Sequence, residues 1–250
     1  AMFAKVPVFD PASPRDAQAM LPMAFDLSER FQIPVLLRSV MRVSHAQQTI
    51  TFNPVQKITR KASFQRNPQR WSATPRYRVI LHKELNQKLR EIGACFNDIR
   101  SLNFVEGEPK GARLGIIAGG ISYAMVRDLL REFGIEDEVP VLKIGTPYPL
   151  PSMIVERFVE QCERVLVLEE TEPVIELQIR DKSRVTGRLD GRVPSEGEMN
   201  PEIVAKILGD IGRDLGWPLP ELPSSALLAR MVADLGLPVR RPSLCSGCAH

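Results

Sequence analysis

The sequence of 250 residues has no long hydrophobic run. Its longest apolar stretch, Leu114 to Ile121, falls far short of the roughly 20 residues that span a bilayer, so no membrane contact is expected. No basic, apolar and small-residue leader opens the chain, and a cytoplasmic setting is expected. Cysteines are few (Cys95, Cys162, Cys245 and Cys248), which excludes a disulfide scaffold. Internal repeats and low-complexity tracts are missing too. What remains is an ordinary soluble composition, 44% hydrophobic and 25% charged. A chain of this length buries a core unaided, as one large domain or two small ones.

Charge of one sign is missing from a long segment. From Arg30 to Lys83 there are eleven Lys and Arg and no Asp or Glu. The net charge is only +3, so the remainder carries a balance of −8. Such asymmetry indicates two regions that face different surroundings.

The opening segment reads as extended chain through Pro7 to Pro14, then a helix. Ser13 is placed to cap it, Pro14 to start it, and Asp16 to sit near its positive end. Met20, Met23, Ala24 and Leu27 recur at helical spacing. Val35-Leu36-Leu37 reads as a short buried strand. One helix and one strand make no core, so this segment is expected to need partners from outside the chain. Residues 46–111 show weak periodicity, with a helix expected from Lys83 to Ile92 and a polar hinge from Glu106 to Gly111.

From Ala112 the pattern sharpens. Apolar runs at Leu114–Ala118, Val139–Ile144 and Arg164–Leu168 alternate with helical stretches at Tyr123–Phe133, around Ile154–Cys162 and at Pro173–Arg180. Continuous apolar strands alternating with helices predict an α/β fold, an open parallel sheet with helices on both faces. Asn200-Pro201-Glu202 is a helix start, Trp217 to Ser224 a stiff proline-rich linker, and Ala226 to Leu235 a last helix.

Cys245-x-x-Cys248 places two thiols where one metal centre could hold both, but zinc and four-iron centres need four ligands. Cys162 lies on a helix stripe and reads as core. Gly119-Gly120-Ile121-Ser122, after a strand and opening a helix, could cradle an anion, though it matches neither dinucleotide nor P-loop patterns and reads rather as a tight turn. The basic, aromatic run Gln56–Arg78, with Trp71 and Tyr77, could stack nucleic-acid bases. The near-neutral total charge argues for an intersubunit connector instead, and no nucleic-acid partner is expected. His45, in Arg42-Val43-Ser44-His45 at the end of a strand-like segment, reads as a structural hydrogen-bonder. Glu169, Glu170 and Glu172 follow a strand and read as charges at a helix N-terminus.

Several phrases together, in order along nearly the whole chain, resemble one family. They are PVFDPASPRDA at 7–17, PVLLRSVMRVSH at 34–45, FQRNPQRW at 64–71, LKIGTPYPLP at 142–151, VLVLEETEPVIELQIR at 165–180, NPEIV at 200–204 and RPSLCSGCAH at 241–250. The family is the alpha subunits of indolepyruvate:ferredoxin oxidoreductases, within the thiamine-dependent 2-oxoacid:ferredoxin oxidoreductases. The resemblance implies an internal piece of a longer subunit. Residues 1–48 would be the tail of a thiamine pyrimidine-binding domain, 49–111 a basic connector and 112–195 a transketolase C-terminal-like domain. Residues 196–241 would be a helical connector and 242–250 the start of a diphosphate-binding domain.

The implied activity is oxidative decarboxylation of aryl 2-oxoacids to acyl-CoA, with ferredoxin as electron acceptor. The implied cofactors of the parent enzyme are thiamine diphosphate, magnesium and [4Fe-4S] clusters. Its implied partners are a second, beta subunit, ferredoxin, coenzyme A and the 2-oxoacid, in an oligomer. Cys245 and Cys248 match the CxGC pair that ligates a cluster in related enzymes, although Ser246 and Ala249 stand where the family's CPGCPHR ending has prolines. Arg42, Ser44 and His45 match an R-x-S-H stretch to which no catalytic role is assigned. The family's ylid-activating Glu, its magnesium–diphosphate motif and its ferredoxin-like cysteines are missing. The isolated chain is therefore expected to hold no cofactor and to be inactive alone. The alternative reading is a non-catalytic subunit-interaction or CoA-binding module.

Overall fold

The computed structural model describes residues 2–52, 54, 63–217, 219 and 225–236. The elements run β1 (Val8–Phe9), α1 (Pro14–Phe31), β2 (Leu36–Leu37), α2 (Met41–His45), α3 (Pro68–Trp71), α4 (Arg78–Asp98) and β3 (Asn103–Glu106). They continue β4 (Gly115–Gly119), α5 (Ile121–Glu132), β5 (Val141–Ile144), α6 (Ser152–Gln161), β6 (Val165–Leu168), α7 (Val174–Gln178), β7 (Val185–Thr186), α8 (Pro201–Asp214) and α9 (Ser225–Asp234).

The main sheet has the order β3-β5-β4-β6-β7. The pairs β4–β5, β4–β6 and β6–β7 are parallel, and β3 joins the edge antiparallel to β5. Alternation along each strand divides the core. Ile116, Ala118, Leu166 and Leu168 face α5 and α8, while Ile117, Val165 and Val167 face α6 and α7. Both faces are covered, which is why these strands read as unbroken apolar runs. Each fully buried Leu, Ile or Phe contributes about 1.5–3 kcal/mol. At Gly115 an added Cβ would lie 2.5 Å from the Cys162 Sγ and 2.9 Å from the Phe158 ring. Only glycine therefore lets α6 lie this close to the central strand.

The α/β expectation holds, and three local expectations need correction. Of the hinge expected at Glu106–Gly111, Glu106 instead ends β3, whose residues pair with β5 from Asn103↔Ile144 to Glu106↔Val141, and residues 107–111 bend and turn after it. The helix expected at Lys83–Ile92 runs from Arg78 to Asp98, because Leu89, Ile92 and Phe96 form a buried stripe longer than the local periodicity suggested. The strand-like segment before His45 is a short helix, α2.

The opening segment also finds partners within the chain. Ser13 caps α1 by accepting the Asp16 N–H, as expected, and Met20, Ala24, Leu27 and Phe31 are buried. They pack with Phe9, Leu89, Ile92, Phe96 and Leu102 in a third cluster, with the Phe9 and Phe96 rings edge to face at 5.6 Å. The core that one helix and one strand could not make is completed by α4. β1 and β2 pair parallel with each other, and Val8 also bridges Tyr148.

Candidate functional site

In this sheet β4 connects through α5 to β5 on one side, and β6 through α7 to β7 on the other. The carboxyl ends of β4 and β6 therefore flank the point where the chain direction switches, the usual ligand crevice of an open α/β sheet. Gly119-Gly120 leaves β4 there, Gly145-Thr146 leaves β5, and Glu169-Glu170 leaves β6.

That crevice is filled by the opening segment of the same chain. Asp10 N–H donates to the Gly145 carbonyl at 2.8 Å, and Val8 N–H to the Tyr148 carbonyl at 2.7 Å. The Asp10 carboxylate lies directly over Gly120, where an added Cβ would sit 2.6 Å from Asp10 Oδ2. Gly120 has φ +50°, a conformation that disfavours any side chain. Arg38 grips Asp10 in a fork, Nε to Oδ1 at 3.1 Å and Nη2 to Oδ2 at 2.5 Å, and its Nη1 donates to the Glu170 carbonyl. Burial outweighs the guanidinium and raises the Asp10 pKa.

Glu169 and Glu170 divide their work. Glu169 accepts the N–H groups of Ile175 at 2.7 Å and Glu176 at 3.0 Å, capping α7 from the strand end. Its burial pushes the carboxyl up to about 7, against the pull of those two N–H groups. Glu170 accepts the Met199 N–H at 3.0 Å, and burial raises it too. The helix-terminal role expected of these acids is met by Glu169, whereas Glu172 is exposed.

Further polar groups stitch the same edge. Lys143 is almost fully buried. Its Nζ lies 2.5 Å from Asp16 Oδ2, and it sits 5.4 and 5.1 Å from the Phe104 and Tyr123 ring centroids. Asn103 makes four bonds: its amide donates to the Phe96 carbonyl and Thr146 Oγ1, and its oxygen accepts from the Gly145 and Thr146 N–H groups. Arg188 donates twice to the Glu169 carbonyl, at 3.2 and 3.1 Å. The buried Glu176 carboxylate accepts the Arg188 and Leu189 N–H groups.

These are satisfied pairs that fix geometry. They form no arrangement of nucleophile and base. Among the described residues, no group of three or more His, Cys, Asp and Glu could hold a metal ion. A diphosphate does not fit the Gly119-Gly120 turn, because the Asp10 carboxylate already occupies the space a bare backbone leaves there. The tight turn favoured from the sequence is what the structure has. Cys162 is buried, burial pushes its thiol up to about 11, and it is the core residue expected. Cys245 and Cys248 lie outside the described residues.

Of the other sequence candidates, Arg42, Ser44 and His45 are exposed on α2. Arg42 pairs with Glu198 at 2.6 Å and Ser44 with Ser39. Trp71 and Tyr77 do not join the crevice. The sequence marks Asp16 only as a charge at the start of α1 and singles out none of Asp10, Arg38, Lys143 and Asn103. The one signal for Asp10 was an acid set between prolines in PVFDPASP.

Comparison with known proteins gives this arrangement a class. The fold matches a solved 2-oxoglutarate:ferredoxin oxidoreductase from Magnetococcus marinus, with TM-score 0.55 over 82% of this chain and 42% of that one, at 16% identity. The chain thus has the fold of part of a 2-oxoacid:ferredoxin oxidoreductase. Residues 104–222 match the family described as indolepyruvate oxidoreductase domain. Indolepyruvate oxidoreductase subunit IorA of Pyrococcus abyssi is 34% identical, and that of Thermococcus kodakarensis 36%, each across the whole chain. A 2-oxoglutarate synthase subunit KorA from Archaeoglobus fulgidus is 27% identical over 65% of the chain. The chain is similar to indolepyruvate oxidoreductase subunits along its whole length and spans 39% of the length of the IorA relatives it matches. Among the described residues, no helix is long and apolar enough to cross a membrane.

Proposed function

We propose that this chain is the scaffold region of an indolepyruvate:ferredoxin oxidoreductase subunit, catalytically silent alone and active within the longer enzyme. The observation that carries the reading is the match to IorA subunits across the whole chain, with the crevice of the α/β unit filled by Asp10 and Arg38. A sheet edge sealed in this way supports an architectural role. In the parent enzyme, aryl 2-oxoacid, coenzyme A and ferredoxin are the reactants, with thiamine diphosphate, magnesium and [4Fe-4S] clusters as cofactors. A second subunit completes an oligomer in the cytoplasm.

The domain limits follow the same proposal. Residues 1–48 belong to a neighbouring pyrimidine-binding unit. A parallel sheet of only two short strands, β1 and β2, supports this, because parallel sheets are seldom so small or so open. Residues 49–111 lead from it into the transketolase C-terminal-like unit at 112–195 and lend β3 to its sheet, 196–241 follow and lend α8 to its core, and 242–250 begin a diphosphate-binding domain. Cys245 and Cys248 would supply two of four cluster ligands.

The test is reconstitution. Full-length subunit with its partner subunit should reduce ferredoxin when given indolepyruvate and coenzyme A, and slower with 2-oxoglutarate. The 250-residue chain should give no reduction under the same conditions. Equal rates with both oxoacids would remove the aryl preference, and turnover by the short chain would remove the scaffold reading.

A further inference from the structure

We infer that the seam between the opening segment and the α/β unit is a proton-sensitive joint, held shut by a proton that its buried carboxyl groups retain and loosened when that proton leaves. The first observation is the balance of charge at the seam. Asp10, Glu169, Glu170 and Glu176 are all buried. Two guanidiniums reach them, Arg38 from the opening segment and Arg188 from the stretch after β7. Four carboxylates against two cations would leave negative charge uncompensated where water barely enters, and such a site holds a proton instead.

The second observation is how the cations are spent. Arg38 forks Asp10, and its remaining nitrogen donates to the Glu170 carbonyl, not to the carboxylate. Arg188 donates to the Glu169 and Pro194 carbonyls. Glu169 and Glu170 accept only backbone N–H groups, those of Ile175, Glu176 and Met199. The charges around them offer no spare cation. Glu198, which faces Glu170, is paired with Arg42 at 2.6 Å, and Lys143 is paired with Asp16.

The third observation is the direction in which these groups are pushed. Burial raises Asp10 and Glu170 and lifts Glu169 to about 7. Glu176 beside Glu169, and Glu198 and Asp10 beside Glu170, push the same way. Arg38 pulls against all three. Once Glu169 ionises it competes with Asp10 for Arg38, the guanidinium that grips across the seam. The closed joint therefore holds its proton more tightly than the open one. Closure is favoured at low pH, and that advantage is lost as pH rises through about 7.

Hydrogen exchange on the 250-residue chain reads the joint directly. The Val8 and Asp10 N–H groups bond across the seam, to the Tyr148 and Gly145 carbonyls. Their protection, corrected for the intrinsic effect of pH on exchange, should fall about tenfold between pH 5.5 and pH 8. It should do so through a local opening that urea barely promotes, whereas the Ile116 N–H within the sheet exchanges by urea-sensitive global unfolding. Glu169→Gln should remove most of the pH dependence. Glu172→Gln, at an exposed acid three residues on, should leave it unchanged. Constant protection of Val8 and Asp10 in the parent overturns the proposal, whatever the variants do. So does exchange of all three amides at one urea-sensitive rate, or a Glu169→Gln variant that keeps the tenfold fall.

Discussion

Glu169 offers a measurable pH signature. Its carboxyl ionises near 4.5 in the unfolded chain and at about 7 in the folded protein, because it is buried at the end of β6. Between those values the folded state holds a proton that the unfolded state has released. Stability therefore falls as pH rises from about 4.5 to about 7, and is level with respect to this group above that. The gap corresponds to about 3 kcal/mol in all. Glu169→Gln removes the titration. It also turns an amide NH2 toward one of the two N–H donors of α7, which costs about 1 kcal/mol at every pH. Urea unfolding curves at half-unit pH steps should thus show the variant about 1 kcal/mol less stable than the parent at pH 4.5. The curves should cross near pH 5, and the variant should be about 2 kcal/mol more stable at pH 8. Parallel curves over that range, or a variant that loses ground as pH rises, would refute the reasoning.

Four further outcomes are expected. Arg38→Ala leaves the Asp10 carboxylate buried without its fork, and should lower stability by about 3 kcal/mol in thermal unfolding, with Arg38→Lys failing to restore it. Gly120→Ala sets a Cβ against Asp10 at positive φ and should cost about 2 kcal/mol or more, with Asp10→Ala in the same chain recovering part of it. Phe96→Ala empties the contact with Phe9 and should cost about 3–5 kcal/mol, while exposing the first 45 residues to protease before the α/β unit yields. In the full-length enzyme, Cys245→Ser should reduce bound iron by about four atoms per subunit, counted by chemical assay; unchanged iron would contradict the ligand role.

How much was legible in the sequence depended on the kind of interaction. The parallel strands β4, β5 and β6 were readable because they are buried on both faces, so nearly every position is apolar, Lys143 in β5 being the exception. The caps at Ser13 and Asn200 were readable because capping is local chemistry. β3 was not, since an antiparallel edge strand of half-buried residues shows neither a continuous run nor clean alternation. The full length of α4 was hidden for a related reason. Its buried stripe is set by what packs on it, α1 from earlier in the chain, and tertiary contacts leave no periodic mark when the helix is otherwise polar. The crevice was the least legible part. Asp10 and Arg38, or Asp16 and Lys143, meet only because the opening segment folds back over the sheet, and residues separated by 28 or 127 positions carry no pairing signal in one sequence. The cysteine pair was legible as a motif, and its ligand role stays with the full-length assay.

The four-way grip of Asn103, with the Asp10–Arg38 fork beside it, has a mechanical corollary. Opening segment, long helix and sheet are bolted together at one seam, so they must swing as a single lever. Whatever rearrangement the larger enzyme undergoes in its cycle, this block should travel whole, and the bending must be absorbed by chain lying on either side of it.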